Sequence, residues 1–143
     1  MKFKTNISKT ELRINSSTDN LSEVREFILA SWISYGHNDK EGLKVALSVD
    51  EACTNIIKHA YHNSSDGVIK IAIDNQKKKF IIKITDSGSH FNPNDVPEPN
   101  IPERQKNRRG GGLGMFLMKK LMDEVRYKGN GESNQLILVK YLS

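Results

Sequence analysis

A two-layer α+β sandwich, with helices on one face of a mixed, mostly antiparallel sheet, is the fold class that this sequence predicts. Three observations lead there. Apolar residues recur at helical spacing over 21–33 and again over 46–60. Two β-branched runs, 68–73 and 80–85, flank a lysine-rich turn, and further strand-like runs stand near both ends of the chain. Helices that each bury one stripe, beside strands joined in hairpins, pair off as a helical layer on a sheet. The 143 residues suit one domain covering 1–143. Leu, Ile, Val and Phe make up 37 of them, above the roughly 20% below which chains tend to stay disordered.

Taken in order, Lys2 to Ile7 and Glu11 to Ile14 alternate polar and apolar residues as a half-buried strand or short hairpin does. Ser17 to Asn20 offer N-caps for a helix whose stripe is Leu21, Val24, Phe27, Ile28 and Ile33, running to about Tyr35 with Gly36 as its stop. Asn38-Asp39 caps the next segment, where Ala46, Val49, Cys53, Ile56 and Ala60 share a face that packs on the sheet. Glu51, Asn55, Lys58, His59 and His62 share the complementary face. A hairpin follows, turning at Lys77 to Lys79. Residues 86–112 then lose all periodicity and carry every proline of the chain. An irregular segment of that length in a small domain suggests a lid over a site, at about 92–112. Leu113, Phe116, Leu117, Lys120, Leu121 and Val125 return to helical spacing; Gly129-Asn130-Gly131 is a turn, and Gln135 to Tyr141 is a final strand.

Composition narrows the function. The single cysteine, Cys53, rules out a disulfide-stapled secreted scaffold and suits a reducing compartment. Lys2 and Lys4 are followed by no apolar leader segment, and no run of 18 apolar residues occurs, so a soluble, cytoplasmic protein with no membrane partner is expected. A net charge of +5 invites a nucleic-acid reading. No recognised DNA- or RNA-binding motif supports it, and Trp32 falls within the first helical stripe, where packing explains it better than base stacking.

Three features in fixed order carry the chemistry: a helix with Glu51 and Asn55 one turn apart, a strand ending in Asp86-Ser87-Gly88, and Gly110-Gly111-Gly112-Leu113-Gly114 feeding a helix. Each alone is ordinary. A carboxylate can serve as a general base, an amide oxygen suits Mg²⁺, and glycines ahead of a helix let free N–H groups approach anionic oxygen. Together they resemble the N, G1 and G2 boxes of the GHKL ATP-binding superfamily, with its Bergerat-type fold. More narrowly, the stretches 51–61, 86–91 and 110–118, and Met122-Asp123-Glu124-Val125 at the expected helix end, resemble the anti-sigma-factor serine/threonine kinases.

The resemblance implies ATP and Mg²⁺ as cofactors. It makes Asn55 the Mg²⁺ ligand, with Glu51 one turn before it placed as the catalytic base; Lys58, three residues beyond Asn55 on the same side, is spaced to reach a phosphate as a point charge. Asp86 and Gly88 take the adenine, while Arg109, Gly110, Gly111, Gly112, Leu113 and Gly114 take the triphosphate side. It implies an anti-anti-sigma (STAS-type) protein substrate, a sigma factor held by the same chain, and a homodimer. The alternative is a non-catalytic, ATP-gated partner-binding module. His90 stands where the wider superfamily often has a second glycine, which puts the shape of the adenine pocket in question. Histidine kinases share the boxes but also need a helical phosphoacceptor region, whereas about twenty residues of strand-like sequence precede the first helix. Residues 103–109 hold Arg104, Lys106, Arg108 and Arg109 against Glu103, which places three of the five net positive charges in the expected lid.

Overall fold

Alternation in the two isoleucine-rich runs puts Ile69, Ile71 and Ile73 on one face of β2 (Val68–Asn75), and Phe80, Ile82, Ile84 and Asp86 on the same face of β3 (Lys79–Asp86). The computed structural model describes residues 11–89, 117–129 and 132–142. Its other strands are β1 (Glu11–Asn15), β4 (Glu124–Gly129) and β5 (Asn134–Tyr141), in the sheet order β1-β2-β3-β5-β4. Every pairing among the described strands is antiparallel, in keeping with the mostly antiparallel sheet expected. The register aligns buried residues in rows across the inner face. One row runs Leu12, Ile71, Ile84, Leu136 and Tyr127, and another runs Ile73, Ile82, Leu138 and Val125. The row beyond them runs Ile14, Ile69, Asp86 and Asn134, so its last two members are polar.

The helices α1 (Leu21–Ser34) and α2 (Asp39–Asn55) cover that face. Ser17 caps the 3₁₀ turn Thr18–Asn20 ahead of α1 by accepting from Asp19 N at 3.1 Å, and Asn38 caps α2 by accepting from Lys40 N at 2.7 Å. Gly36 ends the first helix with φ of +85°, a conformation that costs a glycine little. Ala46, Val49, Cys53, Ile56 and Ala60 are buried as their spacing predicts. On α1 the stripe shifts. Trp32 takes the core position, edge-on to Phe80 with ring centroids 4.9 Å apart, and Ile33 is left exposed.

One expected helix is shorter than its spacing suggested. Helical residues end at 121, and Glu124 and Val125 open β4 instead. Leu121 and Val125 are four apart, which mimics a helical repeat, but Val125 pairs with Leu138 and Tyr127 with Leu136 in the sheet. Strand pairing with β5 overrides the local spacing. Gly129, expected in a turn, is the last residue of β4. Lys2 to Ile7, the lid expected at about 92–112 and the Asn130-Gly131 half of that turn lie outside the described residues.

Candidate functional site

Glu51 and Asn55 sit one turn apart at the C-terminal end of α2, Glu51 half-buried and Asn55 buried. The helix then changes winding. Ile56–Ala60 forms a π-helical turn, in which Tyr61 N donates to Ile56 O at 3.0 Å. Three closely spaced apolar residues, Ile56, Ile57 and Ala60, are all buried, and the wider turn accommodates them on one side. Such turns occur often at functional sites. The chain leaves it through His62 and Asn63 at φ of 52° and 66°, with Asn63 N donating to Ile57 O at 2.8 Å. His62, expected on the face of Glu51 and Asn55, therefore lies beyond the helix, where its Nε2 meets Ser89 Oγ at 3.1 Å. Lys58 and His59 are exposed in the turn.

Burial pushes the Glu51 carboxyl above its ordinary value, the neighbouring Asp50 charge adds to the rise, and Lys58 opposes it. Asp50 is also raised by burial, against the pull of Arg25, whose guanidinium lies 3.3 Å from Asp50 Oδ1. A glutamate whose charged form is disfavoured holds a proton more readily than a solvated one, which is what a general base requires. Cys53 faces the core, and burial pushes its thiol far up, so it is no nucleophile. The buried Asn55 Nδ2 has no hydrogen-bond partner among the described residues. A buried amide left unpaired is costly unless something else meets it. Turned about its terminal bond, the same amide presents a neutral oxygen of the kind Mg²⁺ accepts. That single amide oxygen fits a metal whose other ligands are water and phosphate oxygens.

Asp86 ends β3 on the inner face and is buried. Its Oδ1 accepts from Gly88 N at 2.9 Å and from Asn134 Nδ2 at 3.0 Å. Asn134 Nδ2 also reaches Gly88 O at 3.2 Å, and Asn134 Oδ1 accepts from Tyr127 at 2.9 Å. Gly88 lies against the π-helical turn, where a Cβ would come within 2.6 Å of Ala60 O, and Ser89 N donates to that carbonyl at 2.7 Å. The Tyr61 hydroxyl accepts from Ser87 N and donates to Val68 O, both at 2.8 Å. Helix end, β2 start and the turn after β3 are thereby joined, which brings the Asp86 turn to the end of the helix bearing Asn55.

The model of the histidine kinase-like ATPase domain matches residues 14–140. The chain belongs to the histidine kinase-like ATPase family. Among its relatives, Serine-protein kinase RsbW of Staphylococcus aureus (strain MSSA476) is 35% identical over 92% of this chain and 86% of that protein. RsbW of Bacillus subtilis (strain 168) is 30% identical over 99% and 90%. Among solved structures, the SiaB-SiaC complex from Pseudomonas aeruginosa matches with a TM-score of 0.56 at 13% identity, covering 96% of this chain and 94% of that one. The RsbU and RsbW domains of a Mycobacterium tuberculosis protein match at 0.59 and 14%, covering 91% and 32%. At those identities the likeness is one of fold.

As a histidine kinase-like ATPase the chain is an ATP-binding domain, and the resemblance to the GHKL superfamily and its anti-sigma kinase branch is borne out. Of the residues that the resemblance names, Glu51, Asn55 and Lys58 share the end of α2 and the turn after it, and Asp86 and Gly88 stand at the turn docked on Ala60. Arg109, Gly110, Gly111, Gly112, Leu113, Gly114 and His90 lie outside the described residues. Two side chains that hold the Asp86 turn carry no role in the sequence reading. Tyr61 lies within the stretch 51–61 but has no spacing that assigns it one. Asn134 carried a readable signal, since it occupies the parity of Leu136 and Leu138, where an inward apolar residue is due. Among the described residues no helix is long and apolar enough to cross a membrane.

Proposed function

We propose that this chain is a cytoplasmic anti-sigma-factor serine/threonine kinase. It transfers the γ-phosphoryl of ATP to a serine or threonine of a small anti-anti-sigma (STAS-type) protein and also holds a sigma factor. The observation that carries this reading is the pair at the end of α2: a half-buried Glu51 with a raised carboxyl, one turn before a buried Asn55 whose amide lacks a partner among the described residues. Family membership and RsbW relatives that span nearly the whole chain support it.

When bound, ATP would supply the γ-phosphoryl group and leave as ADP, and Mg²⁺ would offset charge on the phosphate oxygens, with Asn55 as the residue that would hold it. Glu51 orients the acceptor hydroxyl and takes its proton as the new O–P bond forms. Lys58 meets a phosphate as a point charge. Asp86, held by Asn134 and Gly88 N, accepts from the adenine amino group, and the missing side chain of Gly88 leaves room for the ring. By the same resemblance Gly110, Gly111, Gly112, Leu113 and Gly114 would serve the triphosphate side, and Arg109 beside them would supply a cation to it. The branch resemblance adds a homodimer.

Calorimetric titration of ATP with and without Mg²⁺ tests the site. Wild type gains affinity from the metal, and Asn55→Ala loses that gain while keeping metal-free binding. Equal metal dependence in both proteins counts against the assignment.

A further inference from the structure

Burial on α2 follows its helical period, yet two large apolar side chains stand on the exposed side: Leu43 is 61% and Leu47 is 41% exposed. Leu43, Leu47 and Glu51 are spaced four apart, so they form one row along the helix, with the candidate base at its end. On α1 the row beginning at Arg25 continues through half-buried Leu29 to Ile33, which is 54% exposed. Two contacts fix how these rows meet. Arg25 reaches Asp50, and Gly42 lies so close to Trp32 that a Cβ would come within 2.5 Å of its ring. The helices therefore run antiparallel, with Leu29 about level with Leu47 and Ile33 about level with Leu43.

Single exposed apolar residues are ordinary, but a contiguous patch marks an interaction site. From this patch we infer a docking surface for the phosphoacceptor protein, an inference that rests on the kinase reading above. Position selects the occupant. An acceptor hydroxyl has to come within hydrogen-bond reach of the Glu51 carboxylate, so the surface around the acceptor serine covers the neighbouring turns of α2, where Leu47 and Leu43 stand. The acceptor then carries an apolar surface beside its phosphorylated residue, facing Leu43, Leu47 and Ile33. Val68 and Tyr141, the exposed apolar residues on β2 and β5, belong to neither row.

The test compares wild type with a Leu43→Ser/Leu47→Ser double variant, with Leu47→Lys alone, and with Val68→Ser as a control. Phosphorylation of the STAS-type protein of the same organism is followed against its concentration, alongside the dissociation constant for ATP and sedimentation of the kinase. The proposal expects the double variant to raise the acceptor KM by about tenfold or more, as loss of a central apolar anchor does. Leu47→Lys shifts it the same way by less, ATP affinity stays unchanged, and Val68→Ser matches wild type. An acceptor KM within about twofold of wild type in both leucine variants overturns it. Loss of self-association at unchanged KM overturns it in favour of a second copy of this chain. If wild type itself transfers no phosphate to that protein, the kinase reading fails and takes this inference with it.

Discussion

Asn134 donates its side-chain amide to Asp86 Oδ1 at 3.0 Å, joining two residues 48 apart in sequence. They are cross-strand partners in the β3–β5 register and share the one row of the inner sheet face that ends in polar groups. The same amide reaches Gly88 O, so one side chain fixes both the carboxylate and the turn that follows it. Asn134→Ala removes these bonds inside the protein. The cost is about 1–3 kcal/mol, seen as a fall of several degrees in Tm, and ATP affinity drops with it because Asp86 is no longer held in place. Thermal unfolding and ATP titration of the same preparation check both.

Gly88→Ala acts on the same turn by a different route. Its Cβ would fall 2.6 Å from the Ala60 carbonyl oxygen, closer than real contacts allow, and backbone would have to move. The Ser89 N to Ala60 O bond opens as the turn shifts. The expected outcome is a loss of about 1–3 kcal/mol in stability together with weaker nucleotide binding. Urea unfolding and a fluorescent ATP analogue measure the two effects.

Much of this was legible in the residues, and the parts that were not share a cause. Ser17, Asn38 and Gly36 marked the helix ends through local capping chemistry, and the β-branched runs marked β2 and β3. Glu51, Asn55, Asp86 and Gly88 stand out as candidates because their spacing and order resemble a known set of boxes. The π-helical turn at Ile56–Ala60 was not, since it depends on burying neighbouring apolar residues against a sheet. Val125 matched a helical repeat by accident and was decided by pairing with Leu138. Ile33 lost its expected core place to Trp32, which packs edge-on against Phe80 of a distant strand. Asn134 likewise acquires its role only across the sheet.

Glu51 makes a stability prediction with a definite sign. Its carboxyl is raised in the folded state by burial, then by Asp50. Its contribution is therefore fully present below the unfolded carboxyl value and is lost as pH rises through the higher folded one. Glu51→Gln removes that loss. The variant is expected to be more stable than wild type at neutral pH, and the difference disappears on acidification below the usual glutamate range. Paired Tm measurements across that pH span check it. A variant less stable than wild type at neutral pH would point to a structural carboxylate.

The basic run before the glycines supplies a further prediction. If those cations serve the triphosphate as proposed, Arg108→Ala/Arg109→Ala weakens ATP binding and reduces its sensitivity to salt, as titrations of ATP at low and high salt would show. Unchanged affinity at low salt would return those charges to the solvent.

The most direct measurement uses wild-type chain, Mg²⁺, ATP and the STAS-type protein of the same organism, with phosphate on that protein read by intact mass. Wild type is predicted to add one phosphate to a serine or threonine, with an acid limb in the rate set above the ordinary glutamate range by the raised Glu51 carboxyl. Glu51→Gln, tested in parallel, still binds ATP but transfers phosphate at least about a hundredfold more slowly, as loss of a general base does. Binding of the STAS-type protein that depends on ATP, with no phosphate added, would contradict the kinase account and leave a nucleotide-gated binding module in its place.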